Sequence, residues 1–133
     1  GLKMTMFDIS DLSDPKEKFT EVIGGSGSYS ELLYNHKALL FDKEREIFAF
    51  PVVVRDDGAT FTGALVYGIG EESFDLEMQI EHEVGSTDGG LQLSGSEKID
   101  RILFMDSWYY SLSSGIVEAT SVDDGESVAR VEY

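Results

Sequence analysis

Along Phe74–Val84 apolar and polar residues alternate: Phe74, Leu76, Met78, Ile80 and Val84 are apolar, with Asp75, Glu77, Gln79, Glu81 and Glu83 between them. A period of two predicts a strand with one packed face and one acidic face in water. The acidic face also suits a sheet edge, where charge discourages pairing with another molecule. His82 is in phase with the apolar set and is expected at the packed face or its rim. Thr60–Gly70 reads differently. Phe61, Leu65, Tyr67 and Ile69 share one side with Gly63, and Thr60, Thr62, Ala64, Val66 and Gly68 share the other. Both sides are largely apolar, one bulky and one small, which predicts an interior strand packed on both faces.

Two further segments read as hairpins: Lys37–Phe41 with Glu46–Val54 across the polar turn Asp42-Lys43-Glu44-Arg45, and Arg101–Met105 with Trp108–Leu112 across Asp106-Ser107. Strands are also predicted at Leu2–Ile9, Phe19–Ile23, Ile116–Val122 and Val128–Tyr133, and a short helical turn around Ser30–Tyr34. Gly24-Gly25-Ser26-Gly27-Ser28, Arg55-Asp56-Asp57-Gly58 and Gly85-Ser86-Thr87-Asp88-Gly89-Gly90 carry turn chemistry, the last opening a long, mobile loop toward Ser96.

The order of elements repeats. A hairpin, an interior strand and an acidic outer strand occupy 36–84; another hairpin, a strand and a terminal strand occupy 99–133; a half set occupies 1–23. In this alignment Phe7 matches Tyr67 and Ile9 matches Ile69, and Ile69 matches Val122. Four strands per repeat of about 40–50 residues point to an all-β chain, two to two and a half four-stranded antiparallel blades of a β-propeller. A closed ring needs about four to eight blades, so the chain is expected to be the last part of a propeller.

Charge narrows the partners. Ten Lys and Arg face 26 Asp and Glu, for a formal net charge of −16. Such a chain repels phosphate backbones and anionic lipid, because affinity there comes from clustered cations. Nucleic acid is therefore not expected as a partner, and membrane insertion is not expected because no run approaches the ~18 apolar residues of a span. The absence of cysteine removes disulfides, thiol catalysis and cysteine-built zinc sites.

"LKMTMFDISDLSDPKE", "GSYSELLYNHKALLFDKEREIFAFPV", "FTGALVYGI", "IEH" and "IDRILFMDSWYYSLSSGIVEA" resemble, in that order, a family of secreted bacterial and archaeal proteins with a C-terminal β-propeller domain distantly related to the tryptophan–aspartate repeats. The resemblance implies a scaffold in the cell envelope or outside the cell, with no established catalysis to carry over. It implies structural work for His36, which precedes the innermost strand of its set: in related propellers a histidine at such a place hydrogen-bonds across the turn and pins one blade to the next.

The remaining candidates are read from the residues. His82 is expected to be a half-buried structural histidine; Glu81 and Glu83 alternate to the opposite face, which weakens a metal site built with them, and no HExxH occurs. Trp108 and Tyr110 share a side with Leu112, opposite Tyr109, as expected of packing between blades. Asp8, Asp11 and Asp14, like Asp123 and Asp124, suit Asx turns; they lack the alternating ligands and central Gly of an EF-hand, and calcium is the one cofactor they leave open. Gly24-Gly25-Ser26-Gly27-Ser28 ends in Ser where a nucleophile elbow needs Gly. The expected function is thus a non-enzymatic extracytoplasmic scaffold or binding module for a protein or polysaccharide. The alternatives are a metal-dependent hydrolase using His36 or His82 with nearby carboxylates, and a calcium-stabilised adhesion module. An isolated arc of blades is expected to self-associate, burying the bulky faces near Phe7 or Trp108.

Overall fold

The computed structural model describes residues 1–88 and 91–133. Every named strand pairs antiparallel with at least one of its neighbours in sequence, and the pairs fall into separate sheets. β1 (Leu2–Asp8) and β2 (Lys16–Ile23) form a two-stranded sheet. β3 (Leu40–Asp42), β4 (Ile47–Asp56), β5 (Ala59–Ile69) and β6 (Phe74–Ile80) form a four-stranded one, and β9 (Ile99–Met105), β10 (Trp108–Ser113), β11 (Ile116–Ser121) and β12 (Ser127–Glu132) form another. These are the four-stranded antiparallel sheets of partial propeller blades. β4 and β5 join through Asp57-Gly58, whose φ of 44° and 83° makes the two-residue turn that suits hairpin twist.

Two segments differ from the sequence reading. Lys37 and Ala38 belong to a 3₁₀ turn (His36–Ala38), because the Asn35 side chain accepts the Lys37 N–H at 3.1 Å and caps it; β3 starts only at Leu40. A second 3₁₀ turn, Glu31–Leu33, lies within the predicted helical turn, capped by Ser30. The Gly-rich stretch expected as a loop is instead largely a hairpin: β7 (His82–Asp88) pairs with β8 (Leu91–Glu97) from His82↔Glu97 to Asp88↔Leu91. Gly89 and Gly90, part of the predicted turn, lie outside the described residues. Backbone pairing needs no apolar alternation, so turn-type composition concealed it.

The single apolar face expected along Phe74–Val84 is divided. On β5, Val66 and Tyr67 are adjacent, but they pair with Met78 and Leu76. Glu77 is therefore an extra residue, a β-bulge that reverses which face follows. Met78 and Ile80 pack toward the β9–β12 sheet, while Phe74 packs on the other side. The same bulge recurs. Met6 and Phe7 pair with Phe19 and Glu17, and Ala119 and Thr120 pair with Ala129 and Ser127. Phe7, Tyr67 and Thr120 thus hold one position in three repeats, the alignment read from the sequence.

The β3–β6 sheet lies between two cores because β4 alternates. Ile47 and Ala49 meet Ala64, Val66 and Ile80, and Ile99, Ile102 and Tyr109 of the last sheet. Phe50 and Val52 meet Leu65, Tyr67 and Ile23, with Leu2, Met4 and Phe48 against them. Phe48, Phe50 and Tyr67 stack with centroids 5.6–6.3 Å apart. Each such buried side chain contributes about 1.5–3 kcal/mol.

Candidate functional site

β6 stops at Ile80, and after Glu81 the chain leaves its sheet. The first residue of β7, His82, is fully buried. Its Nε2 lies 2.7 Å from Ser111 Oγ and its Nδ1 3.0 Å from Ser113 Oγ, both on the inward face of β10. A neutral imidazole donates through one nitrogen and accepts through the other, and either hydroxyl can take either role. Ser113 Oγ also accepts the Ile116 N–H at 3.2 Å. Across the β7–β8 pair, Glu97 accepts from the Ser114 hydroxyl and from the Gly115 N–H at 3.0 Å. From β12, Arg130 donates to the Glu83 carbonyl at 2.7 Å and to buried Glu118 at 3.4 Å. The root of the β7–β8 hairpin is therefore fastened to three neighbouring features of the last sheet: β10, the β10–β11 turn and β12.

Burial pushes the His82 imidazole below its ordinary 6.5; Arg130 pushes the same way, and Glu118 and Glu97 pull against them. The Ser114 hydroxyl holds the Glu97 carboxyl below its ordinary value. A histidine 2.7 Å from a serine has the spacing of a base and its nucleophile. Here Ser111 is fully buried and Ser113 is 5% exposed, so a substrate reaches neither hydroxyl. Thr120 Oγ1 is buried beside this cluster with no hydrogen-bond partner among the described residues.

His36 is placed differently. Its side chain is exposed on the 3₁₀ turn, and no hydrogen bond reaches the ring among the described residues. The bulge register explains why. Tyr109 faces Thr120 as Phe48 faces Tyr67, so Ser111 and Ser113 correspond to Phe50 and Val52. The blade that His36 precedes offers apolar carbons where the last blade offers hydroxyls. The bond across the turn that was expected of His36 is therefore made by His82. The sequence reading missed Ser111, Ser113, Glu97 and Arg130; the available signal was two serines at inward positions of a strand that also carries Tyr109.

Trp108 and Tyr110 lie on the outward face of the last sheet, with Leu103, Met105 and Val131 48%, 58% and 62% exposed on the same face. The acidic turns use their oxygens internally. Asp8 accepts the Ser10 N–H, Asp11 accepts both the N–H and hydroxyl of Ser13, and Asp124 accepts the Glu126 N–H. These bonds hold all three carboxyls below their ordinary range. Asp14 forms an exposed ion pair with Lys16 at 3.5 Å, and the Asp123 N–H donates to Ser121 Oγ. Among the described residues no three His, Asp or Glu side chains gather as a metal site would require, and no helix is long and apolar enough to cross a membrane.

Comparison with known proteins adds three findings. The sequence model of a family described as "Beta propeller domain" matches residues 1–125. An uncharacterized protein of Archaeoglobus fulgidus is 44% identical over 51 residues, which are 38% of this chain and only 8% of that relative's length. No solved structure matches.

Proposed function

The chain belongs to the beta propeller domain family, and on that premise we propose that it is a non-enzymatic extracytoplasmic scaffold that binds a protein or a polysaccharide. One observation carries the reading. Trp108, Tyr110 and Leu112 occupy the positions that Ile47, Ala49 and Pro51 hold in β4. All three are buried, Ile47 and Ala49 against the next sheet, whereas the last sheet presents its bulkier set outward. A flat face with a tryptophan and a tyrosine and half-exposed aliphatics around them has the composition of a docking surface. The alternative of a hydrolase loses its best base, since both His82 nitrogens are engaged in the interior.

For the chain by itself, the occupant of this face is a second copy. Sedimentation across a wide concentration range is expected to show reversible self-association, weakened at least tenfold by Leu103→Glu with Met105→Glu. A monomer at every concentration would remove the second copy from the proposal. Binding of polysaccharide would instead appear as a change in Trp108 emission on titration with oligosaccharides. Export rests on the resemblance to secreted proteins, and fractionation of source cells tests it.

The calcium-stabilised reading makes a separate prediction. A resident ion at 100 times its dissociation constant adds about 2.7 kcal/mol. Melts in EDTA and in added Ca²⁺ are expected to superimpose, since the Asp turns are filled by their own backbone. A shift of several degrees specific to Ca²⁺ would favour the adhesion module.

A further inference from the structure

β7 and β8 belong to neither four-stranded sheet, and among the described residues the core that joins those sheets holds no side chain of either strand. An added Cβ at Gly85 on β7 or at Gly95 on β8 would meet nothing within 4 Å, so at those points the hairpin leans on no neighbour. Its hold on the last sheet is at the root: the His82 ring on Ser111 and Ser113, the Glu97 carboxylate on Ser114 and Gly115, and Arg130 on the Glu83 carbonyl. The last two ties end on side chains that water reaches, where exchanging a bond with water changes little. The His82 tie is enclosed.

Protonation weakens that tie. Around a neutral ring one serine donates to the bare nitrogen and the other accepts from the N–H. An imidazolium donates from both nitrogens, so both hydroxyl protons must turn away. The acceptors within reach are the Glu118 carbonyl, 3.5 Å from Ser111 Oγ, and the Ile116 carbonyl, 3.4 Å from Ser113 Oγ. Both lie beyond the roughly 2.5–3.0 Å usual for such a bond. A good bond is exchanged for a long one, and a charge is enclosed. The groups that face the ring divide. Burial opposes its charge most, the Glu118 carboxylate on β11 and Glu97 on β8 favour it, and Arg130 on β12 opposes it. β10 brings hydroxyls and no charge, and Glu81 and Glu83, on either side of His82 in the chain, alternate to the other face. We propose that β7 and β8 form an acid-released arm: an imidazolium at His82 frees their root from the last sheet and uncovers Ser111 and Ser113, while the two four-stranded sheets stay packed on each other. Release begins below pH 6.5, where a freed imidazole takes the proton that burial denies the enclosed one. Glu97, held low by the Ser114 hydroxyl, stays ionised as His82 begins to titrate, so the histidine tie goes first. The arm is separate from the Trp108 face, and neither inference depends on the other.

The experiment is native-state amide exchange on the intact chain between about pH 7.5 and 5, with rates corrected for intrinsic exchange. A two-stranded hairpin by itself is marginal in water, so release reads out at residues 83–85 and 95–97 and at the Gly115 N–H. Opening there is expected to rise about tenfold for each unit below pH 6.5, with β4 and β5 unchanged. His82→Gln is expected to flatten the slope. His36→Gln, which removes the other histidine of the chain, is expected to leave it in place. Should His82→Gln fail to fold, the ring resonances of the unaltered chain, assigned through His36→Gln, serve instead: His82 is expected to titrate together with the loss of protection. A His82 that takes its proton with the arm still protected would overturn the proposal. So would opening that ignores pH, a slope that survives in His82→Gln, or one shared equally by β4 and β5, which is global unfolding.

Discussion

His82→Ala is expected to cost about 3 kcal/mol and to lower the melting midpoint by roughly 10 °C. The ring is fully buried and fills space between β7 and β10, so its removal leaves a cavity as well as two lost hydrogen bonds. The serines limit the damage, because their hydroxyls lie near the carbonyls of Glu118 and Ile116. His82→Gln, which retains a donor and an acceptor on a similar volume, is expected to lose about half as much. Urea melts measure both, and a loss below about 1 kcal/mol for the alanine variant would mean the clamp is incidental. pH supplies an independent readout. The unfolded chain takes up a proton near pH 6.5 that the buried ring refuses, so stability falls as pH drops below that value. Acid also relieves the repulsion of a net charge of −16, which acts in the opposite direction. Subtracting the profile of His82→Gln isolates the histidine: the difference is expected to shrink from neutral pH downward, and a flat difference would contradict a neutral buried imidazole.

Gly63→Ala is the second substitution with a large expected effect. An added Cβ at Gly63 would stand 2.1 Å from the Ile80 carbonyl oxygen and 2.9 Å from the Phe61 ring. The carbonyl belongs to the last residue of β6, where the chain leaves its sheet for His82. Only a residue without a Cβ lets the chain cross there, and the backbone cannot rotate away as a flexible side chain would. The cost is expected to reach about 3 kcal/mol, the upper range for overpacking. Because the crossing sets the position of His82, amide exchange in β7 is expected to quicken along with the loss of stability. Gly58→Ala is a poorer comparison despite the open space around it, since its φ of 83° brings strain of its own. Gly85, also in open space and without that φ, is the appropriate control.

Sheets, order of strands and repeat were legible because alternation and turn residues report them directly. The interior strand at Thr60–Gly70 and the Asp106-Ser107 hairpin are examples. A bulge is not legible in that way. Glu77 is one more acidic residue in an alternating run, and only pairing shows that Phe74 and Met78 face opposite sheets. The site was half legible for a related reason. Both histidines precede the first strand of a four-stranded set, and composition does not distinguish them. Their partners do, and these lie 29 and 31 residues beyond His82 in sequence. Once the bulge aligns the repeats, Phe50 and Val52 against Ser111 and Ser113 decide which histidine is buried.

Each sheet is made of strands consecutive in sequence, and this bears on how the chain assembles and comes apart. Hairpins close over short loops, so a sheet can form before it meets its neighbours, and only the packing of sheet on sheet must bring distant segments together. Neighbour-only coupling makes unfolding a matter of position along the array. β4 and β5 are covered on both sides, so their amides are expected to exchange last, at the rate of global unfolding. Those of β12, exposed along its whole length, are expected to open first, so that the chain frays from its C-terminal margin toward a stable centre.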